Sequence, residues 1–202
     1  MWRFYSLMIG ILLLLTGCGA MNSGNSYVNQ LSGAVLSPPR ELDDFTLMST
    51  TGEEFTLSEH QGEVILLFFG YRTCPDFCPT TMAELQRVYS DLGEPADRVK
   101  IVFVTVDPER DSLENLEQYT SIFNEDFIGL RPETDDVDDL LEQFGAEAER
   151  RFVGDGPLAY LVDHTATLFL INPQGQLEVQ YLYGTHYSNI VHDVSLILGT
   201  SG

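Results

Sequence analysis

The period of the apolar positions changes several times along the chain, and each change predicts an element. Phe45-Thr46-Leu47 and Glu54-Phe55-Thr56-Leu57 alternate on either side of the turn signal Thr51-Gly52, which predicts an early β-hairpin. Val64 to Phe69 is an unbroken apolar run, the pattern of a strand buried on both faces. Met82, Leu85, Val88 and Leu92 then recur at helical spacing behind Pro79, a residue suited to a first turn, and Gly93 ends the helix. Ile101 to Val106 is a second buried strand. The three elements make a βαβ unit, so the two strands should be parallel with a right-handed crossover.

Further along, Asp111-Ser112-Leu113-Glu114 resembles a capping box with Asp111 as the N-cap of a helix reaching about Phe123. Phe127 to Leu130 reads as a short edge strand, and Thr134 to Phe144 as a helix closed by Gly145. Thr167 to Ile171 and Leu177 to Leu182 flank the turn Asn172-Pro173-Gln174-Gly175 and predict a second hairpin. An amphipathic helix from about Ser188 to Leu198 ends the series. The fold class is α/β: a thioredoxin-like domain with a central mixed sheet flanked by helices and an extra N-terminal β-hairpin.

The first residues follow different rules. Arg3 precedes the apolar run Leu7 to Leu15, which is too short to span a bilayer comfortably and fits a signal-peptide core. Leu15-Thr16-Gly17-Cys18 resembles a bacterial lipobox, which implies cleavage before Cys18 and lipidation of its sulfur. The plainer reading is an uncleaved anchor with an incidental cysteine. Both place the domain on the extracytoplasmic side of the cell membrane. The stretch from Gly19 to Pro39 is rich in Gly, Ser and Asn and reads as a flexible tether. The expected organisation is a signal peptide at 1–17, a lipid-anchored tether at 18–40 and the thioredoxin-like domain at 41–202.

Charge removes one class of function. The chain carries a net −21, with no basic footprint for nucleic acid. The acidity would also be repelled by anionic headgroups, so the attachment expected is the lipid and not surface charge.

Cys74 and Cys78 lie at the strand-to-helix junction in Cys74-Pro75-Asp76-Phe77-Cys78-Pro79. Two neighbouring thiols outside the cytoplasm have three fates: a structural disulfide, redox cycling, or metal ligation. The helix N-terminus and Arg72 should both lower the thiol pKa and favour thiolate. His164, in Tyr160-Leu161-Val162-Asp163-His164-Thr165, falls just before the second hairpin, at the sheet end that faces the cysteine loop in this arrangement. Two thiolates and an imidazole form a soft set suited to copper, whereas a structural zinc site would want a fourth ligand. Four carboxylates are candidates to support the site. Asp76 lies inside the cysteine motif, and Asp163 could orient His164. Asp107 and Asp111 read more simply as loop and helix-cap residues. His60, His186 and His192 match no motif.

Gly70-Tyr71 with the cysteine motif, Val106-Asp107-Pro108-Glu109-Arg110-Asp111, and Val162-Asp163-His164-Thr165 with Asn172-Pro173-Gln174-Gly175 together resemble the SCO/SenC copper-protein family. The resemblance runs from about Leu42 to Leu198; Arg72 departs from it where the family often has Thr. It implies one copper per chain, as Cu(I) or Cu(II), held by Cys74, Cys78 and His164. It also implies a role in maturing the binuclear copper centre of cytochrome c oxidase subunit II; the expected protein is a copper metallochaperone, a monomer, with that subunit or another copper protein as acceptor. The alternative is a thiol:disulfide oxidoreductase that keeps the acceptor's cysteines reduced. Against that alternative, the cysteine spacing is one longer than the usual oxidoreductase motif, and Thr165-Ala166-Thr167 lacks the expected proline.

Overall fold

A computed structural model describes residues 27–199. The signal peptide, Cys18 and the first part of the tether lie outside the described residues. Ten strands and four α-helices are present among the described residues: β1 (Ala34–Arg40), β2 (Thr46–Ser49), β3 (Glu54–Thr56), β4 (Val64–Gly70), α1 (Phe77–Leu92), β5 (Val99–Thr105), α2 (Leu113–Ser121), β6 (Ile128–Arg131), α3 (Val137–Phe144), β7 (Ala148–Phe152), β8 (Tyr160–His164), β9 (Leu168–Ile171), β10 (Leu177–Tyr181) and α4 (Tyr187–Ile197). Eight strands form one mixed sheet in the order β1-β10-β9-β4-β5-β6-β2-β3. The β4–β5 pair is parallel, as the βαβ pattern predicts; β5–β6 is parallel too, and β9 runs antiparallel to β4.

Strand β4 shows why the sheet must be covered on both sides. Its side chains alternate between faces, and every residue is buried. Ile65, Leu67 and Phe69 join a core with α3 through Leu140, Leu141 and Phe144. Val64, Leu66 and Phe68 join a second core with α1 through Met82, Leu85 and Val88, and with α4 through Ile190 and Val194. The predicted early hairpin is β2–β3, and β9–β10 is the second one.

Three expectations need correction. Residues 34–40 are not tether: they form β1, which pairs antiparallel with β10. Two prolines are tolerated there because β1 is an edge strand. Strand β6 is not an edge either, since β2 pairs with its far side. The third concerns Asp111. Ser112 is the N-cap of α2, its hydroxyl accepting from the Asn115 N–H at 3.2 Å, while Asp111 is buried and turned toward the cysteine loop.

The segment entering β1 is locked to the body. The buried Asp193 carboxylate accepts from the Ser32 N–H at 2.9 Å and the Gly33 N–H at 3.1 Å. Buried Glu178 accepts from the Tyr27 hydroxyl at 3.1 Å. A Cβ on Gly33 would lie 2.3 Å from a Val179 methyl, so only glycine permits this close approach. Among the described residues no helix is long and apolar enough to cross a membrane.

Candidate metal centre

The site forms where β4 ends and α1 begins. After Gly70 the chain leaves the sheet, and the Cys74 N–H donates to the Tyr71 carbonyl at 3.1 Å, closing the loop. Cys74 is half-buried. Cys78, in the first turn of α1, is fully buried. Gly70 is required behind it, because a Cβ there would stand 2.8 Å from the Cys78 Sγ.

His164 arrives from the other direction. Strands β7 and β8 form a separate two-stranded antiparallel sheet that the sequence pattern did not disclose. Strand alternation aims its residues: Tyr160 and Val162 are buried on the inner face, so His164 shares that face and Asp163 points out. The Sγ and Nε2 ligand atoms of Cys74, Cys78 and His164 all lie within 4.8 Å of one another, and Cys78 Sγ is 3.4 Å from His164 Nε2. Phe68, Tyr71 and Phe77 surround the imidazole edge-on, with centroids 6.0, 5.8 and 6.5 Å away.

The imidazole has a defined orientation. Its Nδ1 is 3.1 Å from the Thr165 carbonyl, which can only accept, so Nδ1 carries a proton. Nε2 is then the nitrogen facing the sulfurs. In the neutral ring it offers a lone pair to a metal; in the imidazolium it offers a proton to thiolate.

The thiols are unequal. A hydrogen bond from Cys78 holds the Cys74 thiol well below its ordinary range, against the effect of burial, and His164 adds to the lowering. The same bond and burial push Cys78 up. The sequence expectation of a lowered pKa therefore applies to Cys74 alone. Arg72 contributes less than its position suggested, because its side chain faces Asp111, with Nε 3.9 Å from Oδ1.

The four supporting carboxylates divide. Asp76 is exposed at the N-cap position of α1 and makes no side-chain cap; its backbone hydrogen-bonds Cys74 and helps lower that thiol. Asp163 does not orient His164: it pairs with Arg151 at 2.8 Å on the exposed face. Asp107 and Asp111 are both fully buried. Asp107 accepts from the Tyr160 hydroxyl at 2.7 Å and from Arg110. Asp111 accepts from the Thr105 hydroxyl at 2.7 Å and the Arg72 N–H at 3.0 Å. The Thr165 carbonyl, Tyr71, Arg110 and Tyr160 were missed as site components; the alternation of Tyr160, Val162 and His164 was the signal that could have found the hairpin. The other histidines lie elsewhere: His60 on Glu63, His186 capping α4 and His192 on Asp193.

Two soft sulfurs and one oriented imidazole nitrogen, converging with aromatic rings behind them, fit a soft metal ion. A family model described as SCO1/SenC matches residues 34–199. The chain belongs to the SCO1/SenC family. An SCO2-like protein of Rickettsia conorii is 31% identical over 133 residues, which cover 66% of this chain and 65% of that one. Across such curated SCO relatives the chain spans 53–65% of their lengths. ScoI of Bradyrhizobium japonicum, solved with copper bound, superposes with a TM-score of 0.71 at 29% identity, covering 77% of this chain and 98% of that chain. Apo Sco1 of Thermus thermophilus gives 0.72 at 36% identity, covering 82% and 95%. The fold is thioredoxin-like, as these SCO neighbours are.

Proposed function

We propose that this protein is a membrane-anchored, extracytoplasmic copper metallochaperone that helps assemble the binuclear copper centre of cytochrome c oxidase subunit II. One observation carries the reading: two thiols and an imidazole nitrogen oriented by Thr165 lie within 4.8 Å of one another. It gains support from the copper-bound SCO neighbour. Cys74, Cys78 and His164 would hold one copper per monomer. Thiolate ligands suit delivery, because they exchange through coordination shared with an acceptor's own cysteines. Lipid on Cys18 would keep the domain at the membrane surface, attached through a tether shorter than the sequence suggested, since residues 34–40 are strand β1 and Ser32 and Gly33 are held by Asp193.

A second reading is thiol:disulfide exchange with the acceptor. It is favoured by the acidified, half-exposed Cys74 beside a buried Cys78. The test mixes the reduced, copper-loaded chain with a reduced apo acceptor domain and follows the acceptor's copper–thiolate absorption. Stoichiometric transfer is expected. No transfer, with rapid reduction of the oxidised acceptor by the copper-free chain, would replace the chaperone reading with the second.

A further inference from the structure

The segment Asp107-Pro108-Glu109-Arg110-Asp111 has no ligand atom in the metal cluster, yet it touches both halves of the site. The metal ligands reach the site on independent pieces of chain. Cys74 and Cys78 sit on the β4–α1 loop and the start of α1. His164 sits on the β7–β8 hairpin, which shares no ladder with the main sheet. The hairpin is joined to the main sheet through residues 165–167, ahead of Leu168 of β9, which pairs with Phe68 of β4; contacts beyond that short link must fix its orientation over the cysteine loop.

On the histidine side, Arg110 donates through Nη1 to the Tyr160 carbonyl at 2.7 Å, and its guanidinium stacks 3.8 Å from the centroid of the Tyr160 ring. Arg110 is itself held by Asp107, whose other oxygen takes the Tyr160 hydroxyl at 2.7 Å. Glu109 adds an ion pair to Arg150 of β7 at 3.0 Å. On the cysteine side, Asp111 takes the Arg72 N–H at 3.0 Å, two residues before Cys74. The segment is anchored in turn: Thr105 donates its hydroxyl to Asp111 at 2.7 Å and accepts from the Asp107 N–H at 3.0 Å, while Arg131 donates to the Asp111 and Pro108 carbonyls. Arg110 Nη2 and Asp111 Oδ1 are buried without a hydrogen-bond partner; the bonds that the segment does make hold it in place, because each one lost would strand a further desolvated group.

We infer that residues 107–111 are a splint that sets the thiol–imidazole spacing, with Asp107 and Arg110 positioning the His164 hairpin and Asp111 positioning the Cys74 loop. The inference rests on the copper reading only for its metal readout. These are positioning residues, and their loss should act through the ligand each one holds.

The test is a mutant cycle between Arg110→Ala and His164→Ala, read by Cu(II) affinity and the sulfur-to-copper absorption band. Arg110→Ala alone should weaken Cu(II) binding about tenfold, the scale of losing an outer partner of a metal ligand, and move the band to its position in His164→Ala. In the His164→Ala background it should change neither. A wild-type band in folded Arg110→Ala, or losses that add, would overturn the splint. Should Arg110→Ala not fold, Tyr160→Phe, which deletes only the hydroxyl held by Asp107, enters the same cycle with the same expectation. A copper-free arm keeps the two claims apart. Amide exchange at Val162 and His164 should speed at least about tenfold in the variant while β4 and β5 stay protected. Unchanged exchange there defeats the splint even if copper binds; a wild-type chain that takes no copper defeats the copper reading and leaves this arm to decide.

Discussion

Gly70 and Cys78 are in such close apposition that a Cβ at residue 70 would lie 2.8 Å from the Cys78 Sγ and 2.7 Å from the Phe103 ring. The sulfur is thus positioned by the absence of a side chain behind it. Gly70→Ala should push Cys78 toward His164 or force Phe103 aside. Overpacking of this kind costs about 1–3 kcal/mol. Urea unfolding should report that loss, and copper affinity should fall with it. Wild-type values in both would show that the loop yields freely.

Cys74 should be thiolate at neutral pH. Its pKa is depressed by the Cys78 hydrogen bond, so the reactive form is already saturated where an ordinary thiol, with a pKa of about 8.5, is still mostly protonated. Alkylation of the reduced chain should modify Cys74 first, at a rate nearly flat from about pH 6 to 8. An ordinary thiol would gain about tenfold per pH unit there. Cys78, buried and shifted the opposite way, should react only on unfolding. Peptide mapping of the labelled chain distinguishes the two.

Asp163 is adjacent to His164 in sequence and points away from it. Asp163→Asn should leave copper stoichiometry and the sulfur-to-copper band unchanged. Its pair with Arg151 is exposed and solvent-screened, so the thermal unfolding midpoint should barely move. A shifted band would mean that Asp163 does orient the imidazole, in place of the Thr165 carbonyl.

The N-terminal segment should behave as part of the body. Asp193→Ala removes the acceptor for Ser32, Gly33 and the Tyr181 hydroxyl and leaves these donors without it. Losses of about 3 kcal/mol are expected for a buried network of this type. Limited proteolysis should then cut between residues 27 and 40 before any other site. A chain begun at residue 41 should be destabilised as well, because it uncovers the β10 edge that β1 covers.

How much of this could be read from sequence depended on whether the cause was local. The β4 run and the spacing of Met82, Leu85, Val88 and Leu92 carry their own periods, and the structure has both elements. The cysteines were legible because their spacing falls at a strand-to-helix junction. Strand β1 was hidden by Pro38-Pro39, which read as linker and are tolerated only because a distant strand pairs one edge. Strand β7 holds Glu149, Arg150 and Arg151, with no apolar alternation to reveal it. The cap of α2 was misassigned to Asp111 because its true partners, Arg72 and Thr105, lie in other elements. His164 was singled out by its position before the second hairpin and by family resemblance; the carbonyl one residue later that orients its ring is invisible without the fold.

The most direct measurement is an anaerobic Cu(I) titration of the reduced chain against a competing chelator, alongside Cys74→Ser, Cys78→Ser and His164→Ala. One copper per wild-type chain is predicted, with binding lost in either cysteine variant and weakened by roughly tenfold or more in the histidine variant. Undiminished binding in folded Cys78→Ser, or no copper taken by the wild type, would contradict the assignment of this cluster as a copper site.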